Sequence, residues 1–128
     1  MSFAILGPIT FEASSSKIRT WSKATREGRS RWATLDVYAG KPRREFIGPG
    51  LDAITLAIRL DMAHGVVPRD ELRQMREQRD KGKVLQFTVG GQLVGDYTID
   101  NVREGWTYLD GRGVLMIAEV ELELQEYT

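Results

Sequence analysis

Arg43-Arg44-Glu45-Phe46-Ile47-Gly48-Pro49-Gly50-Leu51-Asp52-Ala53-Ile54-Thr55-Leu56-Ala57-Ile58-Arg59-Leu60 is the stretch that decides the fold class of this 128-residue chain. In its second half Ile54, Leu56, Ile58 and Leu60 alternate with Thr55, Ala57, Arg59 and Asp61. That is the period-two pattern of a strand buried on one face. The first half is strand-like as well. Between them, the glycines permit positive φ, and the proline fixes φ near −65° and donates no N–H. Gly48-Pro49-Gly50 is therefore expected as a sharp turn rather than as part of a sheet.

The same pattern recurs outward from this stretch. Val114, Met116, Ala118, Val120, Leu122 and Leu124 are expected on one face of a closing strand that reaches Tyr127. A one-residue slip would bury Glu119, Glu121 and Glu123, so those glutamates must share the opposite face. That face is then solvated, paired with a neighbour's cations, or turned toward a channel. Gly90-Gly91 joins Val84–Val89 to Leu93–Val102 as a β-hairpin. Trp106–Leu109 and the closing strand form another around Asp110-Gly111. Phe3–Ala13 reads as a strand broken or bent at Gly7-Pro8, with Ile9 and Phe11 inward. Arg31–Tyr38 reads as a strand with Ala33, Leu35 and Val37 on one face. One helix is expected from Pro68 to Lys81, stopping at Gly82: proline at the first position and acids in the first turn favour it there. Leu72 and Met75 are its only strong apolar residues, so it should cover the domain from outside.

The chain is one domain, residues 1–128, with 41% apolar and 28% charged residues, no cysteine and no net charge. Such a length buries about two thirds of the unfolded surface. Lack of cysteine excludes disulfides and thiolate chemistry and suits a reducing compartment. No export signal follows Met1, and no apolar run approaches the roughly 20 residues of a membrane span. The charge is unevenly placed: residues 17–44 hold nine Lys/Arg against two acids, and residues 96–128 hold eight acids against two arginines. Opposite signs at two ends of a chain suit packing across a subunit boundary, as in a head-to-tail ring. Residues 14–31, from the Ser14-Ser15-Ser16 joint onward, are too sparsely apolar to pack well. They are expected as a flexible basic arm or loop that becomes ordered on assembly.

The order of these elements resembles the GpU family of tail proteins of contractile-tailed, P-two-like phages and related particles. The resemblance rests on Arg43-Arg44, Phe46, Gly48-Pro49-Gly50, Asp52 and the Ile54–Leu60 strand. It continues through the short helix, the hairpin ending Gly95-Asp96-Tyr97-Thr98-Ile99, and the closing Leu122-Glu123-Leu124-Gln125-Glu126-Tyr127. It implies a mainly β (α+β) domain, an antiparallel β-barrel or sandwich resembling tail-tube-like folds, with one covering α-helix. It implies a structural role in the virion tail, assembled in the host bacterial cytoplasm. The expected partners are other tail proteins: tube, hub or baseplate, the tape measure as a further candidate, and copies of the chain itself in a ring. A ring that joins the baseplate hub to the tube is the favoured place, and tail completion at the head-proximal end is the alternative.

The residues themselves offer little chemistry. His64 is alone in an Ala-His-Gly turn, without partners for catalysis or metal binding. Asp96, Asp100, Glu104 and Asp110 match no calcium-loop spacing. Gly90–Gly95 lacks the Lys-Ser/Thr pair and the following helix of a phosphate loop. No enzyme, cofactor or metal is therefore expected. Basic residues interleaved with Trp21 and Trp32 could track nucleic acid, but the neutral chain shows no such motif, and arginine with tryptophan is equally the composition of protein interfaces. The candidate assembly interface is accordingly Trp21, Arg26, Arg29, Arg31, Trp32, Arg43, Arg44, Glu119, Glu121 and Glu123.

Overall fold

The computed structural model describes residues 2–13, 18–19 and 21–128. In chain order these form β1 (Ser2–Leu6), β2 (Ile9–Ala13), β3 (Ile18–Arg19), β4 (Trp21–Glu27), β5 (Ser30–Leu35), β6 (Arg43–Pro49) and β7 (Ala53–Asp61). A 3-10 turn (Met62–His64), α1 (Pro68–Lys81), β8 (Leu85–Val89), β9 (Gln92–Leu109) and β10 (Leu115–Glu126) follow. All pairings are antiparallel. Eight strands make one sheet in the order β3-β2-β1-β8-β9-β10-β7-β4, and β5 and β6 pair only with each other.

Strand β10 carries the register of the sheet. Ala118, Val120, Leu122 and Leu124 lie opposite Leu60, Ile58, Leu56 and Ile54 of β7. On its other side Leu122 meets Val102, and Leu124 meets Ile99. All of these are buried, each full aliphatic burial contributing about 1.5–3 kcal/mol. The glutamates between them face outward, as the alternation requires. The alternation does not extend to Val114, however. Register shifts at 115–118 turn the strand over, so that Leu115 is buried and Val114 exposed. An irregular residue in a ladder exchanges the two faces of everything beyond it.

The sheet folds over without closing into a barrel. Strands β2 and β4 stand near opposite ends of the strand order, yet the Phe11 and Trp21 rings lie 5.0 Å apart, edge to face. Trp21 reaches Phe87 at 6.0 Å, and Phe87 reaches Tyr97 at 6.2 Å. One hydrophobic cluster thus joins β1, β2, β7, β8, β9, β10 and α1, consistent with a β-sandwich and a covering helix. The helix has the expected bounds, and Leu72 and Met75 are its buried apolar contacts. Gly82 ends it at φ 60°. Gly90 and Gly91, at φ 60° and 79°, form the two-residue turn between Val89 and Gln92, the pair of positive angles a tight hairpin needs.

Other local expectations change as well, and the strand read over Arg31–Tyr38 ends at Leu35. Trp21–Glu27, read as part of an arm or loop, is strand β4, paired along β7. Its residues from Lys23 onward are exposed because it is an edge strand, and among its described side chains Trp21 alone reaches the core. The remainder of that segment at 14–17 and residue 20 lies outside the described residues, as does the Ser14–Ser16 joint. Leu93–Val102 and Trp106–Leu109, read as separate strands, are one, because Glu104 and Gly105 stay in the ladder opposite Val120 and Glu119. Finally, Gly48 and Pro49 belong to β6, opposite Arg31 and Ser30. Both strands of a two-stranded ribbon are edges, where a proline without N–H is tolerated.

Two substitutions test this packing. Leu122→Ala should cost about 2–5 kcal/mol in urea melts, whereas Glu121→Gln should stay within about 0.5 kcal/mol. Gly50→Ala should destabilise as well, because its Cβ would stand 2.5 Å from the Arg29 carbonyl oxygen. Unchanged unfolding midpoints for Leu122→Ala and Gly50→Ala would contradict the register and the close backbone approach respectively.

Candidate functional site

Strands β4 and β7 do not end where the sheet ends. The Gly50 N–H donates to the Arg29 carbonyl at 2.7 Å, just beyond the Glu27–Ala53 pair, and β5–β6 takes over from there. Residues 21–61 are thus one long hairpin whose outer part is an arm standing off the sandwich. A two-stranded ribbon alone has no buried face, and in this one Trp32, Leu35, Phe46 and Ile47 are all exposed. Tyr38, in the connection at its tip, is fully exposed.

The neck of the arm is clasped to the end of β10. Arg26 donates to the Asp52 carboxylate at 2.6 and 3.0 Å. The Asp52 N–H donates to the Glu126 carboxylate at 3.0 Å, and the Glu126 N–H returns to the Asp52 carbonyl at 2.9 Å. The hydrogen bond to Asp52 raises the Arg26 pKa above its already high value, so the cation is permanent. A Cβ at Gly28 would push the Asp52 carboxylate out of this arrangement. Buried close to this charge group is Tyr97, whose hydroxyl makes no hydrogen bond among the described residues. Burial pushes its pKa up.

Along the arm the side chains sort into two faces. Trp32 lies opposite Phe46 and Thr34 opposite Arg44. The Trp32 and Phe46 rings meet edge to face at 5.2 Å, and the Arg44 guanidinium sits 4.5 Å from the Trp32 ring centroid. An arginine over an indole face is held by the ring quadrupole. Arg31 Nε donates to the Pro49 carbonyl at 3.2 Å, and Arg29 pairs with Glu27 at 2.8 Å. Arg43 stands opposite Leu35.

Of the ten residues singled out in the sequence, Arg29, Arg31, Trp32, Arg43 and Arg44 are therefore brought together on the arm. Arg26 is engaged in the neck and Trp21 in the core. Glu119, Glu121 and Glu123 lie on the outer face of β10, where the Glu121 carboxylate is 3.8 Å from Arg103. Phe46, Ile47 and Tyr38 complete the exposed apolar surface of the arm and were not singled out. Their signal was an apolar run flanking glycine and proline, which reads equally well as core. A second exposed group, Trp106, Tyr108, Leu109 and Val114, surrounds the β9–β10 turn. Three of the four carboxylates weighed in the sequence have partners of their own: Glu104 pairs with Arg76 at 2.7 Å, Asp100 accepts from Thr98, and Asp110 caps its own turn. The His64 side chain lies outside what is described.

The buried Tyr97 hydroxyl makes a pH-dependent prediction. Its folded pKa is raised above the usual 10.0, so above about pH 10 the unfolded chain loses that proton first and stability falls as pH rises. Tyr97→Phe should flatten this loss and leave neutral-pH stability equal or higher, since it deletes a hydroxyl without a partner. Urea melts at about pH 8 and about pH 10.5 read both effects. An unchanged alkaline slope in Tyr97→Phe would contradict the assignment.

No curated protein matches the chain. The family model described as Phage P2 GpU matches residues 7–128. The chain belongs to the Phage P2 GpU family and is a phage tail-associated structural protein.

Proposed function

We propose that this protein is a ring or adaptor subunit of a contractile tail, joining the baseplate hub to the tail tube and starting tube assembly. The observation that carries the assembly role is the arm. Its Trp32–Phe46–Arg44 face is about half exposed on a ribbon too thin to bury it fully, and aromatic and arginine anchors of this kind dominate protein interfaces. The partners of this reading are tube and hub proteins, with copies of the chain itself around the ring. The unequal charge of arm and closing strand supports a head-to-tail arrangement, which closes into a ring when the rotation permits. The reading is non-enzymatic, and no group of three or more His, Cys, Asp or Glu among the described residues could hold a metal ion.

Removing the protein separates the two ends of the tail. If it starts the tube, its loss should leave hubs or baseplates without tubes. Tubes of normal length that fail only to join heads would instead favour the head-proximal place. At residue level, Trp32→Ala with Phe46→Ala should leave the isolated domain folded, with little change in its melting temperature, because neither ring is part of the core. The double variant should enter purified tails at least about tenfold less than wild type, as expected of central interface anchors. Equal incorporation would remove the arm from the assembly contact.

A further inference from the structure

The arm leaves open which surface receives it, and charge and shape select one. Resting on the assembly reading above, we propose that the arm of one copy seats on the outer face of β7–β10–β9 of a second copy of this chain. The arm, residues 29–49, carries five Lys/Arg against Asp36 and Glu45. The outer face of β10 presents Glu119, Glu121 and Glu123 in a row, and these are exposed or half-buried. Glu123 stands between Thr55 and Asn101 in the ladder, with no cation paired to it among the described residues. Arg59 beside Glu119 is engaged with Asp61 at 3.2 Å. Arg103 approaches only Glu121, at 3.8 Å, so Glu119 and Glu123 keep uncompensated negative charge.

The same face has room. A groove of about 560 Å³ runs across it, and Ala57, Arg59, Arg103, Gly105, Glu119 and Glu121 are among the residues that line it. Its floor is low where Ala57 and Gly105 carry small or no side chains on either side of β10. That volume lies within the range of about 300–1,000 Å³ that receives ligand-sized groups, and an indole with its stacked guanidinium is such a group. A copy's own arm is set away from this groove: along the hairpin it begins beyond Ala53, at the end of β7 opposite to the approach toward Arg59. An extended strand pair of six residues reaches about 20 Å from the neck, enough to cross onto a neighbour. Seating buries Trp32 and Phe46 against the groove and places Arg44, on the same face of the ribbon, at the glutamate row, while Arg43 on the other face adds to the positive charge of the arm.

Charge reversal tests the pairing on the whole chain. Arg43→Glu with Arg44→Glu should weaken self-association at least about tenfold in low-salt sedimentation, and Glu121→Arg with Glu123→Arg should do the same. Mixing the two variants should restore association, because each then offers the sign the other lacks. The cysteine-free chain also permits a direct proximity test. Copies carrying Thr34→Cys and copies carrying Ala57→Cys should form a mixed disulfide under mild oxidation, well above a Thr34→Cys and Gln74→Cys control. The inference is overturned if the mixture of reversed variants fails to associate, if the control pair cross-links equally, or if the chain shows no self-association. Should the arm reversal block entry into tails in that case, the arm serves another tail protein, and the adaptor reading stands without this contact.

Discussion

The structure depends on the antiparallel pairing of β10 with β7 on one side and β9 on the other. That ladder aligns Val120, Leu122 and Leu124 with Ile58, Leu56 and Ile54, and one wall of the core is complete once it forms. Everything else is referred to this wall. The helix lays Leu72 and Met75 against its β9–β10 end, and the β1–β2 hairpin brings Leu6, Ile9 and Phe11 to the far side. The opposite face of the same strand must then carry Glu119, Glu121 and Glu123. The acidic outer surface follows from the packing of the inner one, since alternate residues of a strand face opposite ways.

The far end of β10 holds the arm in place. Glu126 accepts from the Asp52 backbone, and Asp52 in turn accepts from Arg26. The pair is partly exposed, so its ionic contribution to stability is small and screened. Its geometric effect is larger: two strands entering the arm and the last strand of the sheet are fixed at one point. Glycine at 50 is required here because a side chain would strike the Arg29 carbonyl, and a side chain at 28 would displace the Asp52 carboxylate. The Gly-Pro-Gly triplet is thus the hinge line where a sandwich strand pair becomes a free-standing ribbon.

Zero net charge conceals a strongly polar molecule. The basic arm and acidic ladder sit on separate parts of the fold rather than neutralising each other in one cluster. Such separation steers association and excludes partners of the wrong sign more than it adds affinity. At protein interfaces, affinity comes mainly from buried aromatic and arginine anchors. Trp32 and Phe46 shield part of each other within the ribbon and leave the remainder exposed.

The sequence by itself determined whatever is local and repeats along the chain. Alternation in Ile54–Leu60 and Ala118–Leu124 named the buried face of two central strands. Pro68 and Gly82 bounded the helix, and Gly90-Gly91 marked a tight turn. The order of these elements was enough to point to the family. Tertiary structure decided the rest, because it depends on pairings between distant residues or on the absence of burial. Strand β4 has one core residue among its described side chains and could not be told from a loop until β7 lay beside it. Phe46 and Ile47 look apolar enough for a core, and only the two-stranded arm shows that nothing among the described residues covers them. Leu115 replaced Val114 inside because the ladder slips at 115–118, which no local pattern records. Arg26 and Asp52 are 26 residues apart and Asp52 and Glu126 are 74 apart; a clasp of that kind exists only once the sheet has brought its members together.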